Sequence, residues 1–317
     1  MKSDIRVRAF KRSQLHRHLF TLKDLMWFVY LYPLRLGARI LPPRSFVKLG
    51  SLALPFFSVL TGKQKRAVKQ GMDNVFGSRR EDRDADVFAG RYIRNAFIRS
   101  LEDLVLDRLV SRKQLECREF RGREHLDSAL AEKKGVILIS VHTFGNRLGK
   151  RYLYHSGYPV MSIRNRNPVG GSMGKLGQRF LQPRYIKFLE GVIVDEVYLQ
   201  DPECSLKILR RLREGGLVNF HLDGVARGNE KSMPFLQGTG GFPFGFLEIA
   251  RLTGSPMLPM LCIGDSEGLR IRFDRPFSLK PADSKEEFVD ANMEQVVRQM
   301  EGYICDNPDQ WELWVRM

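Results

Sequence analysis

The spacing of apolar positions changes near residue 120. Before it, apolar residues recur at helical intervals up to Leu109, after a charged stretch at 78–89 that predicts a helix start. After it, short apolar runs predict strands at 135–142, 158–164, 191–195, 217–223 and 256–263. An alternating run at 269–275 predicts an edge strand, and the glycines of 238–241 predict a tight loop. Helical stretches are predicted at 201–214, 242–253 and 285–305. This alternation favours an α/β fold with a mostly parallel central sheet flanked by helices.

The N-terminal quarter has a different pattern. Residues 25–34 and 49–62 are uncharged apolar runs that contain proline, and both are shorter than the ~20 residues of a membrane-spanning helix. Residues 1–80 hold 17 Lys and Arg but three acidic residues, so most of the net charge of +16 lies there. We divide the chain into an N-terminal helical membrane-associating region, 1–80, and an α/β domain, 81–317.

The basic, apolar character of 1–80 indicates a partner that is polyanionic. Short apolar runs with Trp27, Tyr30 and Tyr32, rimmed by Lys and Arg, are typical of a segment lying in the headgroup region of an anionic membrane surface. Two ordinary core helices with a solvated basic rim are the alternative. Nucleic acid is not expected as a partner because no binding motif is present. No cleavage site follows an apolar run near the start, so no removable signal peptide is expected.

The cysteines indicate neither a disulfide scaffold nor a metal site. Cys117, Cys204, Cys262 and Cys305 lie far apart, and no pair has CxxC spacing. No cluster of His and Cys suggests zinc, so we predict that the protein uses no metal.

Candidate chemistry lies where predicted strands end. His142 ends a buried run and opens a Gly-Asn loop that contains Asn146, and Asp223 ends another run. Ligands of parallel sheets bind beyond the carboxyl ends of the strands. A neutral imidazole can remove a proton from an attacking hydroxyl if another group orients it. We therefore predict His142 as a base and Asp223 as its orienting group, although a turn cap is the ordinary role of an Asp before Gly.

A second constellation is basic. Arg164, Arg166 and Asn167 form a polar loop that ends in Pro168, and arginine suits phosphate or carboxylate. A solvated basic loop is an equally good interpretation. Arg227 and Lys231 follow Asp223 and could extend the same anion site.

These motifs carry a resemblance to a known family. The chain has a strand-His loop with FGN, then RNRNP, then LREGGLVNFHLDG, and a closing NPDQWELWVRM. In this order, from about residue 20 to the C-terminus, it resembles the lipid A late acyltransferases of the glycerolipid acyltransferase superfamily. The resemblance implies an α/β fold, a basic apolar membrane anchor, and transfer of an acyl group from a thioester to a hydroxyl of lipid A. It places the family histidine on His142 and the family Arg-Asn-Pro loop on Arg166, Asn167 and Pro168.

The chain departs from the family at the position five residues after the histidine. Family members carry an acid there, whereas this chain has Arg147. Asp223 could supply the carboxylate, the chemistry could have changed, or catalysis could be lost. The second possibility is similar to a family branch that transfers an aminoacyl group, glycyl, to lipid A. We predict Arg147 as a catalytic residue that contacts an oxyanion or a phosphate.

The resulting prediction is a transferase that moves a fatty acyl or aminoacyl group to lipid A. The donor would be a thioester on acyl carrier protein, aminoacyl carrier protein or CoA, with no other cofactor. His142, Asp223 and Arg147 are the predicted catalytic residues. The predicted substrate-binding residues are Asn146, Arg164, Arg166, Asn167, Arg227 and Lys231. The expected location is the cytoplasmic face of a bacterial inner membrane. The opposed hypothesis is an inactive lipid-binding scaffold that retains the fold.

Overall fold

The structure is a computed structural model that describes residues 19–77, 84–111, 117–165, 173–192, 195–224, 230–265 and 267–316. It confirms a mixed α/β fold with a mostly parallel sheet flanked by helices. The strands are β1 (Cys117–Arg121), β2 (Val136–Ser140), β3 (Val160–Arg164), β4 (Glu196–Tyr198), β5 (Leu217–His221), β6 (Glu230–Phe235), β7 (Gly238–Pro243), β8 (Met257–Asp265) and β9 (Gly268–Phe273).

Seven of these strands form one sheet, in the order β1-β9-β8-β2-β5-β3-β4. All neighbouring pairs in it are parallel except β8 and β9, which are antiparallel. Strands β6 and β7 form a separate antiparallel hairpin. The topology places β2 and β5 side by side near the middle of the sheet, and their carboxyl ends carry the candidate site.

Twelve α-helices surround the sheet in the described part of the chain. They are α1 (Leu22–Val29), α2 (Arg35–Ile40), α3 (Pro43–Ser51), α4 (Leu54–Leu60), α5 (Gly62–Phe76), α6 (Ala85–Ser111), α7 (Arg123–Ala131), α8 (Asn146–His155), α9 (Gln182–Val192), α10 (Cys204–Arg213), α11 (Gly245–Thr253) and α12 (Lys285–Asp306). Short π-helical segments at Tyr30–Leu34 and Gly177–Leu181 precede α2 and α9, and 3-10 turns at Pro308–Gln310 and Glu312–Arg316 follow α12. Capping boxes begin α1 at Thr21 and α12 at Ser284.

The apolar run of β2 is continuous because the strand is buried on both faces. Ile137 and Ile139 belong to a core that includes residues of α10, α11 and α12. Val136 and Leu138 belong to a second core with residues of α7 and α8. Because side chains alternate along a strand, Ser140 lies on the same face as Leu138, which is the α8 face.

Three sequence predictions of secondary structure were wrong. The described residues of the run at 191–195 do not form a strand: α9 extends to Val192, and β4 begins only at Glu196. The run at 269–275 is not an edge strand, since β9 is covered by β1. The glycines of 238–241 are not a tight loop, because Gly238–Pro243 pairs with β6 as a strand. The predicted helix at 242–253 begins later, at Gly245.

The N-terminal helices are attached to the rest of the molecule. Helices α3 and α5 pack along α6, and the Phe76 ring lies 5.7 Å from the Trp314 ring. The buried carboxylate of Asp24 accepts the backbone N–H of Gly174 at 3.1 Å. The predicted division at residue 80 stays a prediction, and residues 1–18 and 78–83 lie outside the described part.

Candidate active site

The site begins with a hydrogen-bonded pair at the carboxyl ends of β2 and β5. These strands run parallel with Ser140 opposite His221, so the residues that follow them meet at one edge of the sheet. The Nδ1 of His142 lies 2.7 Å from Oδ1 of Asp223. The Oδ2 of Asp223 accepts the backbone N–H of His142 at 2.9 Å and the indole N–H of Trp311 at 2.7 Å. The carboxylate is therefore held by three donors.

This arrangement defines the tautomer of His142. A carboxylate can only accept, so Nδ1 of His142 carries the proton and Nε2 is left with its lone pair. Burial alone would lower the pKa of His142, but the charge and hydrogen bond of Asp223 raise it above its ordinary value. Burial opposes ionisation of Asp223, yet His142 and Trp311 hold its pKa below its usual range. The imidazole is 36% exposed and the carboxylate 4%, so Nε2 can meet a substrate while its orienting group stays dry.

Sequence reasoning missed a second histidine in this site. The ring of His221 stacks on the ring of His142, with centroids 4.2 Å apart and planes 24° apart. The Nδ1 of His221 lies 3.0 Å from the hydroxyl of Ser140. Burial, with the charges of His142 and Lys150, holds the pKa of His221 well below its ordinary value, so the ring is neutral. The signal was available, since His221 and Asp223 are two residues apart in the predicted strand 217–223 and would share a face there.

A line of polar side chains continues below His221 on the α8 face of the sheet. The buried amide of Asn219 donates to Ser140 Oγ at 2.9 Å and to the Leu138 carbonyl at 3.1 Å. The Nζ of Lys150, on α8, lies 3.5 Å from Oδ1 of Asn219. Ser140 and Asn219 thus connect His221 to the ammonium group of Lys150 through buried polar contacts.

Among the described residues, His142, His221 and Asp223 lie close enough together to hold a metal ion. One ligand atom each from His142, His221 and Asp223 lies within 4.8 Å of the others. One feature favours proton transfer over coordination: Nδ1 of His142 is already hydrogen-bonded to Asp223.

Arg147 lies at the start of α8 and forms an ion pair with Asp103 of α6. Asp103 is also paired with Arg99, whose Nε lies 2.9 Å away, and Arg99 donates to the Phe144 carbonyl at 2.8 Å. Burial alone would lower the pKa of Arg147, but the charge of Asp103 raises it, so the guanidinium is permanently charged. The cluster ties the loop after His142 to α6.

The remaining predicted substrate-binding residues fall into two groups. Arg166, Asn167 and Arg227 lie outside the described residues. Arg164 pairs with Glu196 at 2.6 Å, and Lys231 pairs with Asp290 of α12. The amide of Asn146, a buried residue, donates to the Val141 carbonyl at 2.6 Å, which holds the loop in place.

Glycine is required at the turn between His142 and α8. A β-carbon on Gly145 would lie 2.5 Å from the backbone carbon of Ile263 and 2.6 Å from that of Cys262. The loop therefore passes directly over β8, and no larger residue fits without moving it.

Comparison with known families supports the resemblance seen in the sequence. The family model of bacterial lipid A biosynthesis acyltransferases matches residues 12–316. The chain belongs to this family. It matches no curated protein individually. Membership makes it an acyltransferase of lipid A biosynthesis, with a lipid A-type acceptor and an association with the bacterial inner membrane. None of its described helices is long and apolar enough to cross a membrane.

Arg147 stands at the position where the sequence resemblance implies an acid. Its carboxylate partner, Asp103, lies on the facing helix α6. The carboxylate that contacts His142 comes instead from Asp223, beyond β5.

Proposed function

We propose that the protein transfers an acyl group from a carrier-protein or CoA thioester to a hydroxyl of lipid A. The observation that carries this proposal is the dyad of His142 and Asp223, with Nε2 of His142 free to accept a proton. The group transferred is fatty acyl or, given Arg147 in place of the family acid, aminoacyl such as glycyl. Mass analysis of the lipid product identifies the transferred group.

The reaction is a direct displacement at the thioester carbonyl. The acceptor hydroxyl gives its proton to Nε2 of His142 as its oxygen attacks the carbonyl carbon. Asp223 stabilises the imidazolium that forms, and the carbonyl oxygen takes up negative charge. The carbon–sulfur bond then breaks, and the thiolate leaves and recovers the proton from His142. The product is an ester on lipid A and a free thiol on the donor.

The N-terminal helices supply the surface for membrane association in this proposal. Helices α1 to α4 and the turn between α3 and α4 expose large apolar side chains, including Ile40 at 71%, Leu52 at 76%, Phe56 at 70% and Val59 at 80%. Exposed basic residues lie on the same helices and on α5, namely Lys23, Arg39, Arg44, Lys48, Lys63 and Arg66. Apolar side chains that enter the acyl region and cations that meet lipid phosphates are features of interfacial anchors. This surface supports peripheral binding at the cytoplasmic face of the inner membrane.

Mass spectrometry of lipid A tests the proposal. Lipid A from cells that produce the protein should carry a new covalent mass that is absent without it and absent with His142→Ala. A fatty chain and a single glycine add very different masses, so the same spectrum identifies the donor. An unchanged spectrum, with the protein present and folded, would favour the alternative of an inactive lipid-binding scaffold. The intact hydrogen bonding of the dyad argues against that alternative.

A further inference from the structure

Lys150 is a half-buried cation whose counter-charge is missing among the described residues. Among the described side chains its Nζ lies 3.5 Å from the neutral Oδ1 of Asn219, and it forms no ion pair with a described carboxylate. The neighbouring arginines differ in this respect: Arg147 pairs with Asp103, Arg151 with Asp107, and Arg164 with Glu196. A charge withdrawn from water is normally paired, because its desolvation is otherwise uncompensated. An anion supplied from outside would pair it.

The titratable groups around Lys150 include three further cations and no described carboxylate. Arg147 lies on the same helix, α8. The others face Lys150 from α6 (Arg99), β3 (Arg164), β8 (Cys262) and the ends of β2 and β5 (His142 and His221). Burial lowers the pKa of Lys150 to about 8; Cys262 opposes this shift and the charges of the three arginines add to it. Cys262 is not a counter-charge at neutral pH, because burial raises the pKa of its thiol to about 12.

Lys150 is also connected to the dyad. Asn219 bridges Lys150 to Ser140, Ser140 contacts His221, and His221 stacks on His142. The positive charge of Lys150 helps to lower the pKa of His221 and acts against the rise in the pKa of His142. A negatively charged group bound at Lys150 would therefore offset a charge that acts on His142.

We propose that the ammonium of Lys150 binds an anionic oxygen of the substrate beside the dyad. Two sources share this chemistry: a phosphate group of the acceptor, and the thioester carbonyl oxygen that becomes negative during attack. The second source rests on the proposed function, whereas the first requires only that a phosphorylated ligand enters the site. Lysine suits either source as a compact point charge on a flexible stem.

The first test does not depend on activity. Binding of inorganic phosphate to the full chain is measured by calorimetry at physiological ionic strength and pH 7, where Lys150 is charged. Lys150→Met should weaken binding about tenfold or more, because a charge-assisted hydrogen bond is lost, and Lys150→Arg should retain it. Lys207→Met is the matched control, since Lys207 is a surface residue paired with Glu203 at 3.8 Å. Phosphate binding by folded Lys150→Met at wild-type affinity would overturn the proposal.

The second test uses the pH dependence of transfer and separates the two sources. Wild-type activity should fall at alkaline pH as Lys150, whose pKa is about 8, loses its proton. Lys150→Arg should stay active and lose this alkaline fall, because arginine remains charged. A higher KM in Lys150→Met identifies a ground-state phosphate, and a lower kcat identifies the developing oxyanion. An alkaline fall that persists in Lys150→Arg would contradict the assignment.

The two proposals fail separately. If the wild-type protein transfers no acyl group, the proposed function fails, and the calorimetry still decides whether Lys150 binds an anion. If transfer is normal in Lys150→Met and phosphate affinity is unchanged, the assignment of Lys150 fails while the proposed function stands. Thermal unfolding of each variant verifies that the fold is retained.

Discussion

Replacing Asp223 by Asn tests the orientation of the proposed base. Oδ2 of Asp223 accepts two donors, the backbone N–H of His142 and the indole N–H of Trp311, so the single oxygen of Asn must occupy that position. The amide NH₂ then faces Nδ1 of His142, which must accept instead of donate. The proton of the imidazole moves to Nε2, and the lone pair needed for catalysis is lost. The variant keeps the shape of the site and removes its base.

The expected loss is large. In Ser–His–Asp enzymes the same change costs turnover about 10⁴-fold, which corresponds to roughly 5 kcal/mol of transition-state stabilisation. His142→Ala should lose about 10²- to 10⁴-fold, the usual contribution of a general base. Because both residues act through one imidazole, the double variant should be little worse than the more damaged single variant.

The pH profile gives an independent readout. Transfer requires neutral His142, so wild-type activity should rise with pH through the pKa of this residue, which Asp223 raises. Without the carboxylate that pKa falls, and the acidic limb of the residual activity should move to lower pH. The assay is transfer to purified lipid A from acyl and aminoacyl thioesters. Asp86→Asn is the control, because Asp86 is a surface residue 52% exposed and paired with Lys65. Activity within about threefold of wild type in Asp223→Asn would refute the dyad.

Three further predictions concern the surroundings of the dyad. Arg147→Glu should abolish the native reaction and lower the melting temperature, because two carboxylates would face each other beside Arg99; wild-type rates in this variant would make Arg147 a bystander. In a sedimentation assay, binding to anionic liposomes should weaken in high salt but persist, and Phe56→Glu should reduce the binding that remains in high salt. Failure to sediment with the liposomes at low salt would contradict the membrane-binding role of the N-terminal helices. Gly145→Ala should displace the His142 loop and lower kcat/KM at least about tenfold, since the added β-carbon would collide with the backbone of β8. Full activity would show that the loop can move without displacing His142.

The central strands and the dyad were predictable because local sequence determines them. The run that forms β2 is apolar up to Ser140, as expected for a strand buried on both faces, and β5 is apolar except at Asn219 and His221. Polar residues directly after such strands in a parallel sheet meet at one edge, which brought His142 and Asp223 together. The position of His221 could have been inferred in the same way.

Other features depend on contacts that the sequence pattern does not reveal. The apolar run at 191–195 has the composition of a strand, but its beginning continues a helix, and short apolar runs do not distinguish the two. The β6–β7 hairpin contains Pro234 and several glycines, which are poor strand formers. The pairing of Arg147 with Asp103 joins residues 44 positions apart on different helices. The isolation of Lys150 likewise depends on which carboxylates the fold brings near it.

The most direct test of the account is a single-turnover reaction with purified protein, lipid A and a thioester donor. Intact-mass measurement follows the lipid while a thiol reagent follows the released carrier. The account predicts one new ester on lipid A for each thiol released, with ester formation by His142→Ala slower by at least about 10²-fold under the same conditions. Ester formation at the wild-type rate by folded His142→Ala, or release of thiol without a new mass on lipid A, would contradict it.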